Sequence, residues 1–148
     1  MSETGPSYEF VDDIAIADAA FRARGATLEE VFRAAAAAVM AVMVEDLASI
    51  RRRQTRCVEL QSASDEMLLF DFLQEIIFYK DAEALLLLPD RLEFSGRGTG
   101  RQLRAGLVGE AVDPDRHPLN VDVKAVTMHR FALRRELAGW RAEVIVDV

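Results

Sequence analysis

Asp147 stands near the end of a stretch in which Trp140, Ala142, Val144, Val146 and Val148 alternate with Arg141, Glu143, Ile145 and Asp147. Alternation of this kind marks a strand with one face in the core, so Asp147 belongs to the other face, beside the terminal carboxylate of Val148. Two negative groups that close are unfavourable unless they are solvated or neutralised. Carboxylate oxygens select hard cations such as Ca²⁺ and Mg²⁺, and Asp18, or one of Asp12 and Asp13, can complete such a site from the N-terminal segment. The competing reading is an acidic chain that simply ends in solvated carboxylates.

Other residues with chemical potential give less. His117 and His129 have no serine or cysteine signature near them, so a structural hydrogen bond is the expected role of each. Cys57 is the only cysteine, which excludes an intramolecular disulfide and a multi-cysteine metal site and suits a reducing cytoplasm. The Gly96–Gly100 loop lacks the glycine spacing and the lysine of a phosphate-cradling loop and reads as a hairpin tip. Arg97, Arg101 and Arg104 beside it are candidates for touching a partner or RNA. Arg51, Arg52 and Arg53 read as solvated surface.

The elements that must position these residues follow from periodicity and caps. Tyr8 to Val11 and Ala19 to Arg24 read as strands. Thr27-Leu28-Glu29-Glu30 is a capping box, and Leu28, Val31, Phe32, Ala35, Val39, Val42 and Met43 then recur at helical spacing. Arg56 to Leu60 suits a strand. Ser64 caps a second helix, with Asp65 and Glu66 at its positive end and Leu69, Phe72, Leu73, Ile76 and Ile77 on one face. Strands follow at Leu85–Leu88, Leu92–Arg97, Gln102–Gly109, Asp122–Met128, Arg130–Glu136 and Trp140–Val148. Two helices among many strands joined by short turns predict an α+β domain of mainly antiparallel sheets packed with the helices.

Bulk properties bound the function. The chain of 148 residues is 51% hydrophobic, enough for one core, with residues 1–7 expected as a flexible N-terminus and 8–148 as the domain. A formal net charge of −7 argues against strong direct binding of nucleic acid. Neither a signal peptide nor an apolar stretch of about 20 residues is present, so membrane insertion is not expected.

Taken together, Tyr8-Glu9-Phe10, Gly25 with Thr27-Leu28-Glu29-Glu30, Gly109-Glu110, His117, Val123-Lys124-Ala125-Val126-Thr127 and Val144-Ile145-Val146-Asp147-Val148 resemble the archease family over nearly the whole chain. Archeases usually carry a His-Thr-Ala-Asp run after the Tyr-Glu pair. Here the segment reads Asp12-Asp13-Ile14-Ala15-Ile16-Ala17-Asp18, and counting back from Gly25 aligns Asp18 with the family aspartate. The resemblance implies a compact, cytoplasmic accessory protein that is not itself an enzyme. It implies a divalent metal, calcium in the usual description with Mg²⁺ or Mn²⁺ as alternatives, with Asp18, Asp147 and Val148 as the matching positions. It also implies a partner, an RtcB-type GTP-dependent RNA ligase of tRNA splicing or RNA repair, whose guanylylation and multiple turnover the helper promotes. Two other readings are a metal-dependent phosphate-ester hydrolase using Asp18 and Asp147, and a chaperone-like scaffold presenting apolar helices.

Overall fold

A computed structural model describes residues 5–11, 18–96 and 100–148. The N-terminal strands are β1 (Ser7–Val11) and β2 (Asp18–Gly25), followed by helix α1 (Leu28–Met43) and a short 3-10 turn at Leu47–Ser49. Then come β3 (Gln54–Ser62), helix α2 (Asp65–Glu83), β4 (Leu85–Ser95), β5 (Arg101–Ala111), β6 (Ala125–Val126), β7 (Ala132–Glu136) and β8 (Gly139–Asp147). Every strand pairing among the described residues is antiparallel. The expected α+β class, with two helices in one domain, is the class observed.

The strands form two sheets. A five-stranded sheet runs β1-β2-β8-β6, with β7 also paired to β8, and a three-stranded sheet runs β3-β5-β4. The helices contact the inner faces of both. The capping box predicted for α1 forms with one shift: Thr27 Oγ1 accepts from the Glu30 N–H at 3.1 Å, and Glu30 Oε1 reaches past the cap to accept from the Ala26 N–H at 2.8 Å. Four orphan donors open every helix; the threonine satisfies one of them, and the glutamate ties down the residue before the cap. Ser64 Oγ caps α2 by accepting from the Met67 N–H at 3.1 Å.

Phe32 of α1 stacks near Phe72 of α2 at 5.6 Å and meets Phe94 of β4 edge-to-face at 4.9 Å, which ties both helices to the three-stranded sheet. The alanine run of α1 is buried at Ala34, Ala35, Ala36 and Ala38, where small side chains let the helix lie close to its neighbours. Burial of this kind contributes about 25 cal/mol per Å² of apolar surface.

Two sequence expectations need correction. The strands expected at Leu85–Leu88 and Leu92–Arg97 are one strand, β4, ending at Ser95, whose register shifts between Pro89 and Arg91; proline cannot donate to the ladder, so the chain bulges there and continues. Asp122–Met128 is not a full strand, since only Ala125 and Val126 pair in β6. Its Lys124 and Thr127 N–H groups still reach backbone carbonyls of β8, while the Val126 N–H and the Val123 carbonyl are satisfied by side chains of α2, which no strand pattern reveals.

Register in the five-stranded sheet is set at the β7–β8 turn. Gly139 has φ +140°, and a Cβ there would fall 2.4 Å from the Gly25 carbonyl oxygen, so a larger residue would push the start of β8 away from the end of β2. With this turn fixed, β8 lies against β2 with Gly25 opposite Trp140 at one end and Asp18 opposite Asp147 at the other. A slip of one residue would put Asp147 into the core.

Candidate functional site

Along β2 and β8 the residues Phe21, Ala23, Ala142, Val144 and Val146 face the helices and are buried. Their alternates lie on the other face of the sheet in cross-strand rows: Arg24 with Arg141, Arg22 with Glu143, Ala20 with Ile145, which are buried, and Asp18 with Asp147. The two aspartates named from the sequence are therefore brought together from opposite ends of the chain. Directly opposed residues in an antiparallel pair have Cβ atoms about 5 Å apart, and like charges there are destabilising. Both residues are half-buried, and among the described residues neither carboxylate has an ion-pair partner within 4.0 Å.

The other side of β8 completes the corner. Ala125 of β6 lies opposite Asp147, where a methyl group leaves the carboxylate room. The Lys124 N–H donates to the Asp147 carbonyl at 2.8 Å, and the Thr127 N–H donates to the Ile145 carbonyl at 2.9 Å. Thr127 Oγ1 is buried and has no hydrogen-bond partner among the described residues. Val148 turns its side chain onto the core, so only its backbone oxygens are free to face the corner.

Helix α2 holds this strand segment in place through polar side chains on a mostly apolar helix. Gln74 Oε1 accepts from the Val126 N–H at 3.1 Å, Glu66 Oε2 accepts from the Leu133 N–H at 3.1 Å, and Lys80 Nζ donates to the Val123 carbonyl at 2.7 Å. Lys80 also pairs with Asp122 at 2.8 Å and with Asp81. Burial alone lowers the affinity of Lys80 for its proton, but hydrogen bonds to Asp122 and Asp81 outweigh it and raise the pKa above its ordinary value. The ammonium therefore stays charged and keeps its donors. Sequence reading missed the part these three residues play, because nothing in their spacing separates them from solvated positions on a helix.

The donor chemistry fits a hard divalent cation: two opposed carboxylates, with backbone oxygens nearby and no soft ligand at the corner. No group of three His, Cys, Asp or Glu side chains able to hold a metal occurs among the described residues. The remaining ligands would then be backbone oxygens, water or a partner. Asp12 and Asp13, the alternatives to Asp18, lie outside the described residues.

A second polar cluster is of a different kind. Glu110 is buried on the outer side of the three-stranded sheet, and its Oε2 accepts from the Arg51 N–H at 2.7 Å and from His117 Nε2 at 2.9 Å while pairing with Arg116. His117 Nδ1 accepts from the Asp113 N–H at 2.8 Å, which assigns the ring proton to Nε2 and leaves the imidazole neutral. Arg116 also donates to the Ser49 carbonyl at 2.8 Å. The hydrogen bond from Arg116 outweighs the opposing effect of burial, and with help from Arg51 and His117 it holds the Glu110 carboxyl down at about 2. Every group here is engaged with another part of the same chain, so the cluster is a fastener. His129 is exposed.

The arginines singled out near the glycine loop are also engaged. Arg101 pairs with Asp65 at 2.9 Å, and Arg104 pairs with Glu59 at 3.1 Å and lies opposite Glu93. Arg97 lies outside the described residues. Cys57 is exposed on the three-stranded sheet. No helix among the described residues is long and apolar enough to cross a membrane.

Comparison with known proteins gives a consistent result. The family model described as the Archease protein family (MTH1598/TM1083) matches residues 8–148. The chain is 33% identical to Protein archease of Methanosarcina acetivorans over 149 residues, covering 100% of both chains. It is 34% identical to Protein archease of Thermococcus gammatolerans over 142 residues, covering 95% of this chain and 96% of the other. The solution structure of Methanobacterium thermoautotrophicum protein 1598 is similar at a TM-score of 0.81 and 34% identity, covering 95% of this chain and 98% of that one. The crystal structure of an archease from Thermotoga maritima, described as a possible chaperone, shares the fold at a TM-score of 0.57 and 18% identity, covering 95% and 98%.

Proposed function

The chain belongs to the archease family, and from that premise we propose that it is an accessory protein that activates an RtcB-type GTP-dependent RNA ligase in tRNA splicing or RNA repair. The observation that carries this reading is the opposition of Asp18 and Asp147 on the sheet face away from the helices, at the positions the family resemblance marks for metal. A carboxylate rung that disfavours itself becomes favourable when a cation is shared with a second protein.

Asp18 and Asp147 would hold the ion, with Ca²⁺ the first choice and Mg²⁺ or Mn²⁺ the alternatives. When bound, such an ion supplies positive charge for phosphate oxygens. The chain's own contribution is positional: β2 and β8 set the carboxylates opposite one another, Ala125 leaves the space above Asp147 open, and Gln74 and Lys80 fix the flanking strand. On this reading the partner ligase performs the bond-making and the helper supports guanylylation and repeated turnover in the cytoplasm.

Reconstitution tests it. Adding the protein to its cognate ligase, GTP and RNA ends should raise the fraction of guanylylated ligase and the number of turnovers, and Asp147→Asn should remove the increase. Ligation unchanged by the wild-type protein would defeat the reading. The hydrolase alternative is separated by incubating the protein alone with Mn²⁺ and phosphate esters, where the accessory reading expects no turnover.

A further inference from the structure

At the far end of the face that carries Asp18 and Asp147, the cross-strand register places three arginines in one row. Ser7 of β1 lies opposite Arg24 of β2, Arg24 opposite Arg141 of β8, and Arg141 opposite Arg134 of β7. The strands are about 4.8 Å apart, so three guanidinium groups stand on neighbouring strands with no carboxylate in their row. Like charges directly opposed are unfavourable, and a chain with formal net charge −7 has enough carboxylates to avoid such a row.

The acids that face the row come from the next rows and do not close on it. Glu9 stands 3.7 Å from Arg22 and 3.8 Å from Arg24, while Glu136 and Glu143 stand 3.3 and 3.8 Å from Arg141. None of these contacts is a hydrogen bond among the described residues, and Arg134 has no ion pair there. Arg33, Arg52, Arg56, Arg101 and Arg104 by contrast each hydrogen-bond a carboxylate, and although Arg53, Arg91 and Arg130 also lack a carboxylate partner among the described residues, none of these three stands opposite another arginine in the strand register. Arginine donors left open on a flat surface are suited to the paired oxygens of phosphate groups.

We propose that this end of the sheet face binds the phosphate backbone of single-stranded RNA through Arg24, Arg141 and Arg134. The row is polar, formed by serine and arginine with glutamates beside it, and has no apolar anchor of the kind a stable protein interface buries at its centre. The total charge of the chain does not forbid this contact, because at physiological salt charges beyond about 8 Å are screened, and in the immediate neighbourhood Arg22, Arg24, Arg134 and Arg141 outnumber Glu9, Glu136 and Glu143. Asp18 lies six residues along β2 from Arg24, about 20 Å away, so an RNA strand on the row can run toward the carboxylate corner. The contact is expected to be weak and salt-sensitive. It goes beyond the accessory reading, in which RNA is met only by the ligase.

The probe is a fluorescently labelled single-stranded oligouridylate, titrated with full-length protein and followed by anisotropy across a salt series. Three phosphate contacts give a slope of log affinity on log salt of about −2. The variant R24E/R134E/R141E should lose binding at low salt, R24Q/R134Q/R141Q should weaken it without reversing charge, and R51E/R52E/R53E should retain it. Circular dichroism identifies any variant that fails to fold, in which case the glutamine set carries the comparison. No saturable binding by the wild type at low salt, equal binding by the folded row variants, or equal loss in R51E/R52E/R53E would overturn the proposal. So would row variants that keep RNA but lose co-purification with the ligase, which would assign the row to a protein surface. The outcome is independent of the ligase assay, since it is read on the protein alone, with no ligase, GTP or divalent metal present.

Discussion

Two groups of carboxylates in this protein are built in opposite ways. Glu110 is buried and surrounded by donors from Arg51, Arg116 and His117, all from its own chain. Asp18 and Asp147 are half-buried, face one another, and find no cation among the described residues. A carboxylate that the fold satisfies serves the fold, whereas one placed against a like charge is left available to solvent or to a cation from outside. Burial and partners, more than acidity or position in the sequence, separate the two roles.

The largest expected effect breaks the fastener. Glu110→Ala leaves Arg116, the Arg51 N–H and His117 Nε2 without their acceptor and should cost about 3 kcal/mol, read as a lower midpoint in urea denaturation. Equal stability would mean that Glu110 resembles the aspartates after all. Next comes calcium: at a concentration 100 times its Kd it should stabilise the wild type by about 2.7 kcal/mol, and this gain should vanish in Asp147→Asn. A calcium-dependent rise in Tm that survives in both Asp147→Asn and Asp18→Asn would remove the corner from consideration.

Smaller effects sharpen the same contrast. Removing one of two opposed charges should stabilise the metal-free protein, so Asp18→Asn in a chelating buffer is expected to gain up to about 1 kcal/mol. The pH response should come from the other group. The folded Glu110 carboxyl titrates at about 2 against an ordinary value of 4.5, so it contributes stability above about pH 4.5 that is lost as pH falls toward 2. In Glu110→Gln that part of the acid transition should disappear, as followed by circular dichroism across the range.

Much of the fold was legible because local signals agreed with one another. Thr27 and Glu30 announce α1, Ser64 announces α2, and the alternation of β8 by itself assigns Asp147 to the face away from the core. Choosing Asp18 over Asp12 and Asp13 as the partner of Asp147 took family resemblance, since the register that opposes them depends on a turn more than one hundred residues downstream of Asp18. What escaped was satisfied by tertiary partners. The Pro89 bulge reads as a break because proline is a breaker in isolation, yet pairing to β5 resumes beyond it. Residues 122–128 alternate like a strand but are held by Gln74 and Lys80 from another element. Arg24, Arg134 and Arg141 look like scattered surface charges until the register aligns them.

The polar side chains of α2 have one more consequence, for assembly. The far edge of the five-stranded sheet is made by β6 and β7, and outward N–H groups at Val126 and Leu133 are already occupied by Gln74 and Glu66. An exposed sheet edge is a template for adding another strand, and here α2 blunts it from within. Lateral growth of the sheet from one molecule to the next is thereby disfavoured on this side, which works against stacking into open-ended ribbons that need both edges.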